Sequence, residues 1–181
     1  FMLVGDDWKA FDDFEGWTGG ETGILLGAAA HYQVGEYGTA TPPGTGEVEA
    51  LHLTADVTAK FDRFGLFAAV VYRNLDADDA ATDVDQLGFL VQAGFFLTEE
   101  WELFGRYEFG DSDIDGDEDL SVITVGVNKY WDKHNLKWQT DVGFGLDEVS
   151  STWATSSAGY RTDPADSDGQ VVIRSQVQLL F

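Results

Sequence analysis

The sequence predicts an all-β fold, an antiparallel transmembrane β-barrel, and three observations predict it. Apolar and polar residues alternate with period two through most of the chain. The alternating runs extend about 11 residues or more, whereas strands of soluble proteins cluster near 5–6 and a tilted strand crossing a bilayer needs about 9–11. The connections alternate in size: tight turns fall at Asp62-Arg63, Thr98-Glu99-Glu100 and Asp132-Lys133-His134, and long polar connections at 35–46, 76–85, 111–118 and 148–169. Short turns on one rim and long loops on the other characterise outer-membrane barrels.

Residues 1–22 stand apart. Trp8, Phe11 and Phe14 recur at helix-like spacing among Asp6, Asp7, Asp12, Asp13 and Glu15, which suits a short interfacial helix or a wrapped periplasmic connection. Phe1 to Val4 could end one more strand. Residues 23–181 then hold about eight strands. In 47–62, Leu51, Leu53, Ala55, Val57, Ala59 and Phe61 oppose His52, Thr54, Asp56, Thr58 and Lys60. In 100–110, Trp101, Leu103, Tyr107 and Phe109 oppose Glu102, Phe104, Arg106 and Glu108. In 135–147, Leu136, Trp138, Thr140, Val142, Phe144 and Leu146 share a face opposite Lys137, Gln139 and Asp141. In 170–181, Val171, Ile173, Ser175, Val177, Leu179 and Phe181 oppose Arg174, Gln176 and Gln178. Segments 23–34, 64–75, 86–97 and 119–131 are more apolar and keep the phase in part. Counted back from Phe181, every short turn lands on the rim where the chain ends, the periplasmic side. Phe61, Phe64, Phe95, Phe96, Trp101, Tyr130, Trp131 and Phe181 are expected in an aromatic girdle at that rim, with Tyr32, Tyr72 and Phe109 nearer the other.

Composition narrows the function. The 181 residues are 44% hydrophobic, with 21 Gly, 3 Pro and no Cys. This excludes a disordered chain, a disulfide framework and a thiolate metal site. No run of about 18 apolar residues occurs, so no transmembrane helix is expected. The chain opens on Phe1 without a basic, apolar leader, which suits a processed or partial sequence. The net charge of −23 makes a nucleic-acid partner unexpected.

With the apolar faces toward lipid, the lumen receives His52, Asp56, Lys60, Arg73, Arg106, Glu108, Lys137, Asp141, Arg174 and Gln176, the expected pore-lining set. Charges cost about 2–4 kcal/mol at the lipid midplane, so they retreat inward. A ladder of Arg and Lys in a wet lumen would attract small anions, whereas acidic outer loops would oppose their entry. Gly27, Gly88, Gly94, Gly126, Gly143 and Gly145 also fall on inward positions. Asp111, Asp113, Asp115 and Asp117 match the first half of an EF-hand loop, a possible loop-bound Ca2+ site, but Val122 stands where the closing Glu belongs. No other cofactor is expected. His31 and His52 could both face the lumen but lack a third metal ligand; His134, in a short turn, needs no function. Catalysis is not expected: no His lies near the loop serines 150, 151, 156 and 157, and Glu102 and Glu108 stand about 20 Å apart by strand rise.

Val125-Gly-Val-Asn-Lys-Tyr-Trp131, Asn135-Leu-Lys-Trp-Gln-Thr-Asp141 and Val172-Ile-Arg-Ser-Gln-Val-Gln-Leu-Leu-Phe181 resemble the last three strands of the phosphate-selective porin O and P family. Gly23-Ile-Leu-Leu-Gly-Ala-Ala-Ala-His-Tyr-Gln33 is similar to a strand of related porins. The closing Phe181, with Leu179, Val177 and Ile173 in step, looks like the signal read by the barrel-assembly machinery. The resemblance implies a 16-stranded, usually trimeric channel in the bacterial outer membrane, among lipid and lipopolysaccharide, with this chain as about its C-terminal half. It implies passive diffusion of small hydrophilic solutes or ions. The acidic loops depart from the basic approaches that a phosphate passage calls for. Two alternatives remain open at this point: a small closed eight-stranded barrel serving as anchor or adhesin, and a soluble lipocalin-like barrel.

Overall fold

A computed structural model of the chain describes residues 1–36, 47–77, 83–113, 118–154, 159–162 and 169–181. They form one antiparallel sheet whose nine strands neighbour one another in chain order. The strands are β1 (Met2–Val4), β2 (Gly23–Glu36), β3 (Glu47–Phe61), β4 (Phe64–Ala77), β5 (Val84–Phe96), β6 (Trp101–Ser112), β7 (Leu120–Asp132), β8 (Leu136–Gly145) and β9 (Val171–Leu179). The eight long strands are those the alternation predicts. The short β1 is the extra strand end at residues 1–4, paired with Ile24 and Leu25 of β2. β1 and β9 are the two edges, so the sheet is open.

Turn chemistry fixes the register. β3 and β4 meet through the two residues Asp62-Arg63, with Phe61 opposite Phe64. Arg63 takes the left-handed conformation at φ 67°, as does Lys133 in the turn between β7 and β8 at φ 42°. The tight hairpin needs positive φ there. Arg63 is held in it from outside, because its guanidinium donates to the Leu97 carbonyl at 2.5 Å and lies 5.7 Å from the Phe95 ring.

Once the register is set, a pleat of period two sorts the side chains into two faces. On the outer face Leu53, Val70, Phe89, Leu103, Val125 and Ile173 follow one another across the sheet, all substantially exposed. Along β3 the outer apolar run extends from Leu51 to Phe61, a height of about 25 Å after tilt. Outer charges sit only beyond it among the described residues. At the long-loop end Tyr32 donates to Glu49 at 2.9 Å and Tyr72 to Asp85 at 2.8 Å. At the short-turn end Lys129 pairs with Glu100 and reaches over the Trp101 ring at 5.0 Å. A hydrocarbon slab fits between these levels. Each fully exposed Leu, Val or Phe transferred into it contributes about 1.5–3 kcal/mol.

One expectation needs correction. Phe96 and Tyr130 do not join the outer girdle. They are 0% and 2% exposed and face inward. The pleat allows nothing else: Phe95 points outward, so Phe96 cannot, and Tyr130 follows from outward Lys129 in the same way.

Two connections fold onto the inner face. The β1–β2 connection carries a 3-10 turn at Trp8–Phe11, capped by the Asp7 carboxylate on the Lys9 N–H at 3.0 Å. It then lies as a strap across the inner face near the short-turn rim. The described parts of the β8–β9 loop also turn inward. Val149 and Tyr160 pack with inward-facing Val122, flanked by Trp153 and Val172. Glycines make room for both loop rings: a Cβ on Gly110 would lie 2.8 Å from the Trp153 ring, and one on Gly143 would overlap the Tyr160 hydroxyl. Gly143→Val should therefore undock this loop while leaving β8 intact, since Val suits a strand. Trypsin cleavage after Arg161 should accelerate about tenfold, the effect of losing about 1.4 kcal/mol of docking. An unchanged cleavage rate would show that Tyr160 does not hold the loop.

Candidate functional site: the polar inner face

All ten residues expected to line a pore lie on this one face. Nearest the long loops, cross-strand pairing sets His31, His52, Arg73, Gln86 and Ser112 in one row. The two imidazoles are 5.6 Å apart. Arg73 donates to Gln86 at 3.1 Å, and Gln86 to Ser112 at 3.4 Å. Arg73 opposite His52 puts a cation where a metal site would need a ligand.

At mid-height the Asp56 carboxylate fills the space beside Gly27. Arg106 pairs with Glu108 at 3.0 Å, two residues along the same strand. Arg174 places both Nε and Nη2 at 2.7 Å from the Asp141 carboxylate across the β8–β9 ladder.

Lower down lies a continuous hydrogen-bond chain. Gln176 donates to Gln139 at 2.7 Å, Gln139 to Asn128 at 3.1 Å, and Asn128 to Glu102 at 2.8 Å. Tyr130 donates to Glu102 at 2.7 Å and lies 3.2 Å from Glu15 of the strap. Glu102 is only 4% exposed, so these neutral donors replace the water it has lost. A cavity of about 470 Å³ opens above this chain, between strap and wall, and Arg106, Asp141 and Arg174 reach into it.

The strap was not legible as part of the site. Lys60, expected to line the pore freely, is 4% exposed and donates at 2.5 Å to both Asp13 and the Ala10 carbonyl. Trp17 packs against Phe96 and Tyr130, each at 4.9 Å between ring centroids. His134, in its short turn, also reaches the strap: its Nε2 lies 3.2 Å from Glu15 and 3.7 Å from Asp13. Those three residues bring ligand atoms within 4.8 Å of one another, a spacing that a cation could use. Lys60 and Tyr130 already meet the two carboxylates from within the protein. A signal was present in the sequence: Trp17 and Gly16 interrupt an acidic run that a plain solvated connection would not need.

Of the acidic loop singled out for Ca2+, Asp115 and Asp117 lie outside the described residues. Asp113 accepts the Asp85 N–H at 2.7 Å. Beside it, Asp119 has its carboxyl raised above the usual range by burial and by the neighbouring Asp111 and Asp147 charges. A raised acid pKa means that the folded state prefers the proton. The β6–β7 rim should therefore become more stable as pH falls through the carboxylate range, and lose that stability as pH rises through the folded pKa. Hydrogen-exchange protection at Asp113 and Leu120, corrected for the intrinsic pH dependence of exchange, should rise on acidification in the wild type. Asp119→Asn should flatten that rise.

Comparison with known proteins agrees with this geometry. OmpT of Vibrio cholerae, an outer membrane protein folded in vitro and solved in its trimer form, superposes with a TM-score of 0.51 at 14% sequence identity, over 86% of this chain and 55% of that one. That likeness shows the fold, an outer-membrane β-barrel. The chain spans about half the length of that structure. No curated protein matches the sequence. The family model for phosphate-selective porin O and P matches residues 39–144, from before β3 to the penultimate residue of β8. With more than half of its length inside that match, the chain belongs to the phosphate-selective porin O and P family.

Proposed function

We propose that this chain builds about half the wall of a passive diffusion channel in the bacterial outer membrane. One observation carries the reading: the polarity of the sheet is reversed relative to a soluble barrel. Its outer face is apolar over a membrane-high band, and its inner face holds Arg, Asp and Glu side chains around a cavity of about 470 Å³. A lipocalin-type barrel needs the opposite arrangement. A small closed barrel needs its first and last strands paired, whereas β1 and β9 are edges here. Unpaired edges cannot stand in hydrocarbon, so further strands complete the ring.

In this reading the protein is a channel and not an enzyme, and Phe181 serves as the assembly signal at the end of β9. OmpT was solved as a trimer. By analogy, this channel assembles as a homo-oligomer, with three copies as the expected number. Full-length protein folded into planar bilayers should give stepwise, ohmic conductance. A folded, inserted barrel that passes no current would reject the channel reading.

A further inference from the structure

The family's name speaks of phosphate, yet the inner face is not built to hold an anion. An anion passage needs basic groups whose charge is still available to the solute. Here the bases are already taken. Arg174 places two nitrogens on Asp141 at 2.7 Å, Arg106 sits on Glu108 at 3.0 Å, and Lys60 on Asp13 at 2.5 Å beneath the strap. Lys137 is 8% exposed, with its ammonium 3.2 Å from His134 Nδ1. Arg73 donates to Gln86, close to the long-loop mouth. Glu102, by contrast, accepts its hydrogen bonds from the neutral Asn128 and Tyr130 side chains.

The rims sharpen the bias. The wide mouth carries Asp76, Asp83, Asp85, Asp111, Asp113 and Asp119, with Arg161 as a base on that side. Lys9, Arg63, Lys129 and Lys133 lie at the opposite, short-turn rim. Across the chain, 33 acids face 10 bases. A low-dielectric wall focuses such a field along the passage and raises the local concentration of the opposite sign.

Resting on the channel reading above, we infer that the passage walled by this sheet selects small hydrated cations over anions, because its mid-height arginines are neutralised by Asp141 and Glu108 while acids ring its wide mouth. Phosphate is excluded by the same charges. The selecting residues are the pairs themselves: Asp141 and Glu108 cancel the arginines that would otherwise bind the anion.

The test is the reversal potential of the full-length porin in a planar bilayer under a potassium chloride gradient. The expected sign is that of a cation-preferring channel, weakening as salt rises. Asp141→Asn and Glu108→Gln should each move it toward the anion side, lowering the cation-to-anion permeability ratio about twofold or more by releasing an arginine. Asp76→Asn, at the exposed wide mouth, gives a second readout if the first two variants fold poorly. It should shift the potential the same way. An anion-preferring wild type, or chloride current blocked by low concentrations of inorganic phosphate, would overturn this inference and leave the channel reading standing. Absence of any current would instead overturn the channel reading.

Discussion

Val125→Lys should cost about 2–4 kcal/mol of folding stability in lipid, the penalty of a basic side chain on a barrel's outer face at the midplane. Val125 lies near the centre of β7, 49% exposed on the outer face, between Gly105 of β6 and Val142 of β8. Neither neighbour offers a carboxylate, and both rims are several residues away, so the ammonium has little means of snorkelling out. Gln176→Lys provides the control. Gln176 also faces away from a strand backbone and is also exposed, but on the inner face, where its partner is Gln139. That substitution should leave stability within about 0.5 kcal/mol of wild type. Urea titration of the protein folded in phospholipid vesicles, read by the mobility difference between folded and unfolded forms, measures both. Equal costs at the two positions would mean that the outer face does not meet lipid, and the assignment of the two faces would fail with it.

That contrast shows what the sequence could convey. A period-two pattern contains the faces of a sheet almost completely, because the pleat ties a residue's direction to its parity. Leu53 and Asp56, or Ile173 and Arg174, could be sorted without coordinates. Strand number, short-turn positions and the inward set from His52 to Gln176 followed from the same rule. Parity also had more to give: it turns Phe96 and Tyr130 inward, against an assignment made from their nearness to a turn. Three-dimensional proximity without periodicity was beyond its reach. Asp13 meets Lys60 across 47 residues, and Glu15 meets Tyr130 across 115. No local pattern encodes such contacts, since the strap and the β8–β9 loop are irregular chain held by particular cavities. Ion pairing was hidden for the same reason. A list of inward charges shows Arg174 and Asp141 as two separate groups, and only the β8–β9 register makes them one neutral unit. The sequence therefore set a basic ladder against acidic loops, and only the register pairs Arg174 with Asp141.

Gly16→Val should lift the strap from the mouth and widen the passage. Gly16 lies directly against the backbone of the β3–β4 hairpin: a Cβ there would overlap the Phe64 carbonyl and come within 2.7 Å of the Phe61 carbonyl. Gly65 reciprocates, since its Cβ would stand 2.5 Å from the Phe14 carbonyl. Two glycines thus let two backbones touch, and backbone atoms in a hydrogen-bonded hairpin cannot move aside as a side chain could. The bulk of a valine must then be accommodated by the strap, which is irregular chain outside the hydrogen-bonded ladder that holds the hairpin. Lifting it separates Asp13 from Lys60 and withdraws Trp17 from Phe96 and Tyr130. The strands themselves keep their pairing, so insertion should persist. Single-channel conductance should rise about twofold, as the cross-section near the short-turn rim opens, and trypsin should cut after Lys9 at least about tenfold faster. Gly19→Ala separates strain from bulk. Gly19 has φ +72° with open space around it, so an added methyl strains the backbone locally but strikes nothing. It should leave conductance unchanged. Lys60→Met removes only the ion pair and should fall between the two. If Gly16→Val left both conductance and cleavage at wild-type values, the strap would not obstruct the mouth, and Lys60 would have to be buried by something other than the segment that now covers it.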